Sequence, residues 1–416
     1  MAITQQELSR RIRAAREASQ MTQEEAATQL GVSRPSYVQI EAGNRSVTSL
    51  ELDRLAYLFG REIRDFLAEA FEEEDALAAL FRAQPEVASQ PEVLEKLRTC
   101  MALGRELTRL EQFLGLDHEK AQVTTYSYPP LRSRWDAIQQ GQRLAESERR
   151  RLGLGNTSLP EVTELLESQG VRTGLVDLVD DVSGLTLNDR KVGFFVVANR
   201  LHHHLRRRFS FVHEYAHVLV DRDKFGLVSK ASERDELTEV RANSFAANFL
   251  LPESGVRAFI QGLGKGQPSR PSADLFDEAG SLNVEGRNDP GSQALQLYDV
   301  VQLAYAFGVS CQSALFRLRN LRFITEREFE NLKTQEQAGK AKSIHSFLDL
   351  PTPDHEGLRN AFKQRFLGLA LEAYRREEIS RGKLRELALL MGCPADALDL
   401  LSVEAGDVET CEASER

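Results

Sequence analysis

The chain has 416 residues, 41% of them hydrophobic, which is enough apolar material for two or three domains with cores of their own. A net charge of -10 argues against a protein that coats nucleic acid along its whole surface, but leaves room for a local DNA-reading module. There is no apolar run of membrane-span length, no signal-peptide pattern at the N-terminus, and no C-x-x-C pair among Cys100, Cys311, Cys393 and Cys411; the expectation is a soluble protein of a reducing cytoplasm, without a membrane partner.

Residues 1–66 read as a bundle of short helices. Leu8, Ile12 and Ala15 form an apolar stripe on the first; Thr22 caps the second, with Glu25 closing a capping box and Ala26, Ala27 and Leu30 facing inward. Gly31 breaks the chain, Ser33 caps a third helix with Pro35 in its first turn, and Gly43-Asn44 ends it before a fourth from Ser49 to Phe59. Two helices joined by a Gly turn at this length make a helix-turn-helix, whose second helix enters the major groove.

The stretch from Met21-Thr-Gln-Glu-Glu-Ala-Ala27 through Leu30-Gly-Val-Ser33, with Ile40-Glu-Ala-Gly-Asn-Arg45, resembles the Xre (phage repressor-like) family. The resemblance implies that Gln23 touches phosphate or a base, that Arg34, Ser36, Tyr37 and Gln39 face DNA, and that Asn44 and Arg45 lie near the DNA backbone, with Ser33 completing the DNA-binding set. Glu7, Glu17, Glu24, Glu25, Glu41, Glu51 and Asp53 about cancel the arginines here. One copy would bind weakly, so a homodimer on a two-fold operator is expected; an interaction-only module is the other reading.

Residues 67–132 read as a helical connector and linker, rich in Leu, Ala and Glu, with an acidic run from Glu72 to Asp75. Cys100 within it is a candidate latency ligand that could hold a metal through its thiolate; a core cysteine is the alternative. Pro129-Pro130 marks a boundary, after which residues 133–335 form the next domain. Helices are expected from Arg134 to Leu152 and Leu159 to Gln169, and strands from Val171 to Leu178 and Gly193 to Ala198 around a turn at Asn188-Asp189. Phe194 to Ala198 is a candidate to pair with an extended peptide. His202-His203-His204 and Arg206-Arg207-Arg208 read as a solvated basic loop.

The most informative stretch is the helix Phe209 to Val220, which Ser210 is expected to cap. His213 and His217, four residues apart, project from one face at the spacing that grips one zinc ion, while Glu214 points slightly around the helix, placed to take a proton from a metal-activated water. Val220 and Asp223 rule out a metzincin's further ligand, so the third must come from elsewhere. Glu239 opens an apolar helix and shares a face with Ala242, Asn243 and Ala246, whose small alanines allow close packing; it is the candidate, with Glu233, Asp235 and Glu236 as rivals.

Phe209-Ser-Phe-Val-His-Glu-Tyr-Ala-His217, Glu239-x-x-Ala-Asn-x-Phe-Ala and Leu250-Leu-Pro252 resemble the ImmA/IrrE family of regulatory metallopeptidases, as do Val182-Ser-Gly-Leu and Gly193 to Asn199 upstream. The resemblance implies zinc on His213, His217 and Glu239, Glu214 as catalytic base, and a repressor or similar regulator as protein substrate.

Residues from about 262 to 292 are dense in Gly, Pro, Ser and Asp and read as a flexible insertion. Helices resume at Tyr298 to Phe307, Ala314 to Leu321 and Ile324 to Leu332, with Arg317 a candidate active-site neighbour. Residues 341–416 read as a helical accessory domain, with helices Gly357 to Arg376, Ser380 to Met391 and Pro394 to Leu401 and an acidic tail. The expected fold is mainly α (α+β): an all-α helix-turn-helix domain, a zincin-like peptidase domain with a small sheet, and a helical C-terminal region. The expected function is a transcriptional regulator fused to a zinc-dependent endopeptidase that acts under stress. The alternatives are a DNA-binding factor whose peptidase-like domain senses without proteolysis, and a toxin-antitoxin type regulator.

Overall fold

The computed structural model describes residues 3–19, 21–59, 61, 63–68, 91–116, 123–178, 181–189, 193–221, 226–230, 235–266, 272–277, 280–285, 292–351 and 355–393. Side-chain caps divide the N-terminal stretch into helices. Thr4 accepts the Glu7 N–H at the start of α1 (Gln5–Ala18), and a reciprocal box of Thr22 and Glu25 opens α2 (Gln23–Leu30). Ser33 accepts the Ser36 N–H on α3 (Arg34–Glu41), and Thr48 and Glu51 repeat the box on α4 (Ser49–Leu58). Gly31 takes φ 78°, the left-handed conformation that lets α2 stop and α3 turn away. Ile12, Ala15, Ala26, Leu30, Ile40, Leu55 and Phe59 form the bundle core, joined by Phe66 from α5 (Ile63–Leu67), whose carbonyl accepts from Arg11 at 2.9 Å.

The helix α6 (Pro91–Phe113), expected as part of a connector, belongs to two cores. Its first half buries Val93, Leu97 and Met101 against a sheet, and its second half packs Leu107 and Leu110 against C-terminal helices. After α7 (Arg134–Arg151) and α8 (Val162–Ser168) come β1 (Arg172–Val176), β2 (Val182–Asp189) and β3 (Gly193–Asn199). The sheet order is β1-β3-β2, completed by β4 (Gly226–Lys230), with β1 parallel to β3 and the other pairs antiparallel. Alternation along β3 splits its side chains: Phe195 and Val197 face α6, while Val196 and Ala198 face the core that holds the metal-helix candidate.

Four local expectations are corrected here. Asn188 and Asp189 do not form a turn; they end β2, with Asp189 opposite Gly193. The Phe194 to Ala198 strand is hydrogen-bonded on both sides, so it has no edge to offer a peptide; in this sheet the strands paired on one side only are β1 and β4. The basic stretch is a loop only at His202 and His203, because α9 (His204–Val220) begins five residues before Phe209. Ser210 is therefore inside the helix, its hydroxyl donating to the Arg206 carbonyl at 3.0 Å, and Arg208 is drawn onto the carbonyls of Leu159 and Pro160.

The next helix, α10 (Leu237–Leu250), packs on both α9 and α7. Gly141 sets its distance from α7: a methyl group there would lie 2.4 Å from the Arg241 carbonyl oxygen and 2.8 Å from the Phe245 nitrogen, backbone atoms that cannot swing aside. Alanine normally favours a helix over glycine by about 1 kcal/mol. Here Gly141→Ala is nevertheless expected to destabilise the protein by about 1–3 kcal/mol, since overpacking against backbone outweighs propensity. Denaturant unfolding checks this; an unchanged or raised midpoint would show that the two helices are free to separate.

Downstream lie α11 (Glu253–Gly262), an antiparallel hairpin of β5 (Ser272–Asp277) and β6 (Gly280–Glu285), α12 (Leu297–Phe307), α13 (Cys311–Asn320), α14 (Glu326–Gln337) and α15 (Lys340–Phe347). The hairpin occupies part of the stretch expected as a flexible insertion, so its backbone is ordered into paired strands there. Two further helices, α16 (His355–Arg375) and α17 (Arg381–Leu390), pack Phe366, Ala370, Leu384 and Leu387 against the second half of α6. The expected helix Pro394 to Leu401 and the acidic tail lie outside the described residues. The architecture is mainly α with a small sheet, and no described helix is long and apolar enough to cross a membrane.

Candidate metal centre

Helical spacing puts His213 and His217 one turn apart on α9, and burial against α10 and the sheet does the rest. His213, Glu214, His217 and Glu239 are 5%, 0%, 1% and 6% exposed. Glu239 reaches from the first turn of α10 into the space between the imidazoles: its Oε2 is 3.0 Å from His213 Nε2 and its Oε1 is 3.2 Å from His217 Nε2. Ligand atoms of the three residues all lie within 4.8 Å of one another. Two imidazoles and a carboxylate, brought together in a water-poor site, are the donor set of a zinc or similar transition-metal site. Burial, the largest influence, pushes both partners away from the charged form. The opposing contacts prevail: Glu239 is held well below the usual carboxylate range beside the two histidines, and Asp221 and Glu239 hold the His217 imidazole up at about 10.

Glu214 is placed differently. Its Oε2 accepts from the Thr186 hydroxyl of β2 at 2.7 Å, whereas its Oε1 is buried without a hydrogen-bond partner among the described residues. Complete burial raises its pKa, partly offset by His213 and His217. Gly184 makes room for it, since a Cβ at that position would come within 2.8 Å of Glu214 Oε1 and 2.9 Å of the Val197 carbonyl oxygen. Of the two buried glutamates, one is engaged by both histidines and the other keeps an oxygen free, a division suited to a ligand and a base.

A second layer surrounds the histidines. Asn243 Oδ1 lies 3.1 Å from His213 Nδ1, Ser229 Oγ of β4 lies 3.1 Å from His213 Nε2, and Asp221 Oδ2 lies 2.9 Å from His217 Nδ1. No local pattern marks Asp221, Thr186 or Ser229, which arrive from the end of a helix and two strands. Asn243 carried a faint signal, being on the same helix face as Glu239. Behind the helix, Glu148 is fully buried and accepts from Tyr215 of α9 at 2.6 Å and from Tyr126 at 2.9 Å.

The other candidates fall elsewhere. Asp235 and Glu236 are exposed, with Asp235 paired to Arg134 at 2.8 Å, and Glu233 lies outside the described residues. Cys100 is corrected as a latency ligand: it packs with Val93, Leu97 and Met101 on the α6 face of the sheet, across from α9, and burial pushes its thiol up to about 12, far from a thiolate. Arg317 is neither a site residue nor exposed. It is buried and donates to the Leu251 carbonyl at the end of α10 at 2.8 Å, with burial pulling its pKa down to about 10.

In the N-terminal bundle, Tyr37 does not face DNA. It is fully buried, because its place three residues before Ile40 puts both on the inner face of α3. Arg34 and Gln39 are exposed and Ser36 is half-buried. Ser33 is occupied as the α3 cap, Gln23 donates to Glu41 at 2.8 Å, Asn44 donates to Gln39 at 3.0 Å and Arg45 pairs with Glu51 at 2.6 Å.

Comparison with known families matches residues 12–66 to the helix-turn-helix family and residues 167–269 to the IrrE N-terminal-like domain family. No curated protein and no solved structure gives a significant match to the chain. The second matched span contains all four residues of the buried centre, so residues 12–66 form a helix-turn-helix domain and residues 167–269 an IrrE-like, metallopeptidase-like domain.

Proposed function

We propose that this protein is a DNA-binding transcriptional regulator whose central domain is a zinc-dependent endopeptidase, cleaving a repressor or other regulatory protein in the cytoplasm under stress. The observation that carries the reading is the convergence of His213, His217 and Glu239 beside a buried Glu214 with one oxygen free. His213, His217 and Glu239 would hold the ion. When bound, zinc supplies the Lewis acidity that polarises a peptide carbonyl and lowers the pKa of water. Glu214 takes the proton of the attacking water on Oε1 and returns it to the leaving amine, and its raised pKa suits a group that must both accept and release. Thr186 holds Oε2 still meanwhile. An extended substrate would pair with an edge strand, the role that β3 cannot fill.

On the DNA side, α3 presents exposed Arg34, 3.8 Å from Glu24, half-buried Ser36 and the amide N–H groups of Gln39 for base or phosphate contacts. Acidic partners close to Arg16, Gln23 and Arg45 weaken a single copy, which favours a homodimer on a two-fold operator. The deciding experiment compares new protein N-termini across the proteome in host cells carrying the wild type or Glu214→Gln, with and without DNA damage and oxidative stress. New termini that depend on Glu214 are expected and would name the substrate. No difference under any condition, with zinc on both proteins, would leave a DNA-binding sensor without proteolysis.

A further inference from the structure

We propose that Asp221, clamped by Arg241, is a positioning residue that orients His217 and thereby tightens zinc at the centre; this rests on the zinc reading above. Asp221 follows His217 by one helical turn at the end of α9, which places both on one face. Its Oδ2 lies 2.9 Å from His217 Nδ1. A carboxylate can only accept, so in the metal-binding imidazole Nδ1 carries the hydrogen and Nε2, the nitrogen nearer Glu239, keeps its lone pair for the cation.

Asp221 does not stand alone. Nη2 of Arg241 reaches both of its oxygens, at 2.6 and 2.7 Å, and Arg241 is 5% exposed. Arg241 sits on α10 two residues beyond Glu239, so the Asp221–Arg241 pair ties the helix of the two histidines to the helix of the third ligand. It fixes a ring and an inter-helix distance together. The two histidines are supported unequally: His213 has a neutral partner in Asn243, whereas His217 has a charged one. A negative outer partner makes an imidazole a stronger donor to a metal.

The test is zinc affinity of the full chain, measured by competition with a chromophoric chelator, for wild type, Asp221→Ala and Asp221→Asn. The absorption spectrum of the Co2+ form and the melting temperature of the zinc-free protein are recorded alongside. Asp221→Ala is expected to bind zinc about 10–100-fold more weakly, with altered Co2+ bands. Asp221→Asn keeps an accepting oxygen but loses the charge, so a smaller loss of about threefold to tenfold is expected. A role confined to holding the helices together would lower the melting temperature and leave the affinity of the folded protein unmoved.

Wild-type affinity and an unchanged Co2+ spectrum in a folded Asp221→Ala protein would overturn the inference. Should that variant not fold, Asp221→Asn decides, and an affinity equal to wild type overturns it. Wild type that takes up no zinc would bring down the zinc endopeptidase reading as well, whereas zinc binding that is indifferent to Asp221 sinks this inference alone.

Discussion

Glu214→Gln is expected to lower peptide-bond cleavage by about 10²–10⁴-fold, the range for loss of a positioned general base, while zinc stays bound. The argument is geometric. Thr186 holds Oε2, so the free Oε1 is the oxygen left to accept a proton, and glutamine can present the same shape but cannot take one up. The fully buried side chain is matched closely in volume, so stability should change far less than activity. Once a substrate is in hand, single-turnover cleavage and zinc stoichiometry on the same preparation check the pair of outcomes. Wild-type cleavage by the variant would remove Glu214 from the chemistry; loss of zinc would instead make it a ligand.

Glu239→Gln should behave in the opposite order, losing zinc first and activity in consequence. Glu239 meets both imidazoles, at 3.0 and 3.2 Å, and supplies the centre's one carboxylate donor. Outer hydrogen-bond partners cost about 10–100-fold in metal affinity, and removing a directly coordinating anion is expected to exceed that. A chelator competition on both variants at one pH makes the comparison. Near-stoichiometric zinc on Glu214→Gln and none on Glu239→Gln would separate base from ligand for two buried glutamates 25 positions apart. Equal retention by both would mean that Glu239 is not the third ligand.

The centre is legible because its parts are local. The His213–His217 spacing, the neighbouring Glu214 and the small-residue face behind Glu239 are local patterns of one helical turn, and a helix converts such spacing directly into a shared face. Caps were equally readable: Thr22–Glu25 and Ser33 act as their positions imply. The misreadings arose where a local pattern was ambiguous. The polar run from His204 to Arg208 has no apolar periodicity, yet it is helical because Arg208 finds the carbonyls of Leu159 and Pro160 far away in sequence. Tyr37 looked like a polar reader on a surface helix; its inward phase with Ile40 makes it core.

By itself the sequence pointed to the helix-turn-helix bundle, the candidate metal helix and a candidate ligand set, because short-range spacing and capping fix side-chain direction within a few residues. Only the tertiary structure decided what surrounds that set. Thr186 meets Glu214 across 28 positions, Asn243 meets His213 across 30, and Cys100 falls on the far face of the sheet. Strand order likewise closed both sides of β3, and α6 turned from a connector into the lid of two cores. Such contacts depend on how elements stack, which is settled by the joint burial of many side chains and leaves no periodic trace in any single stretch.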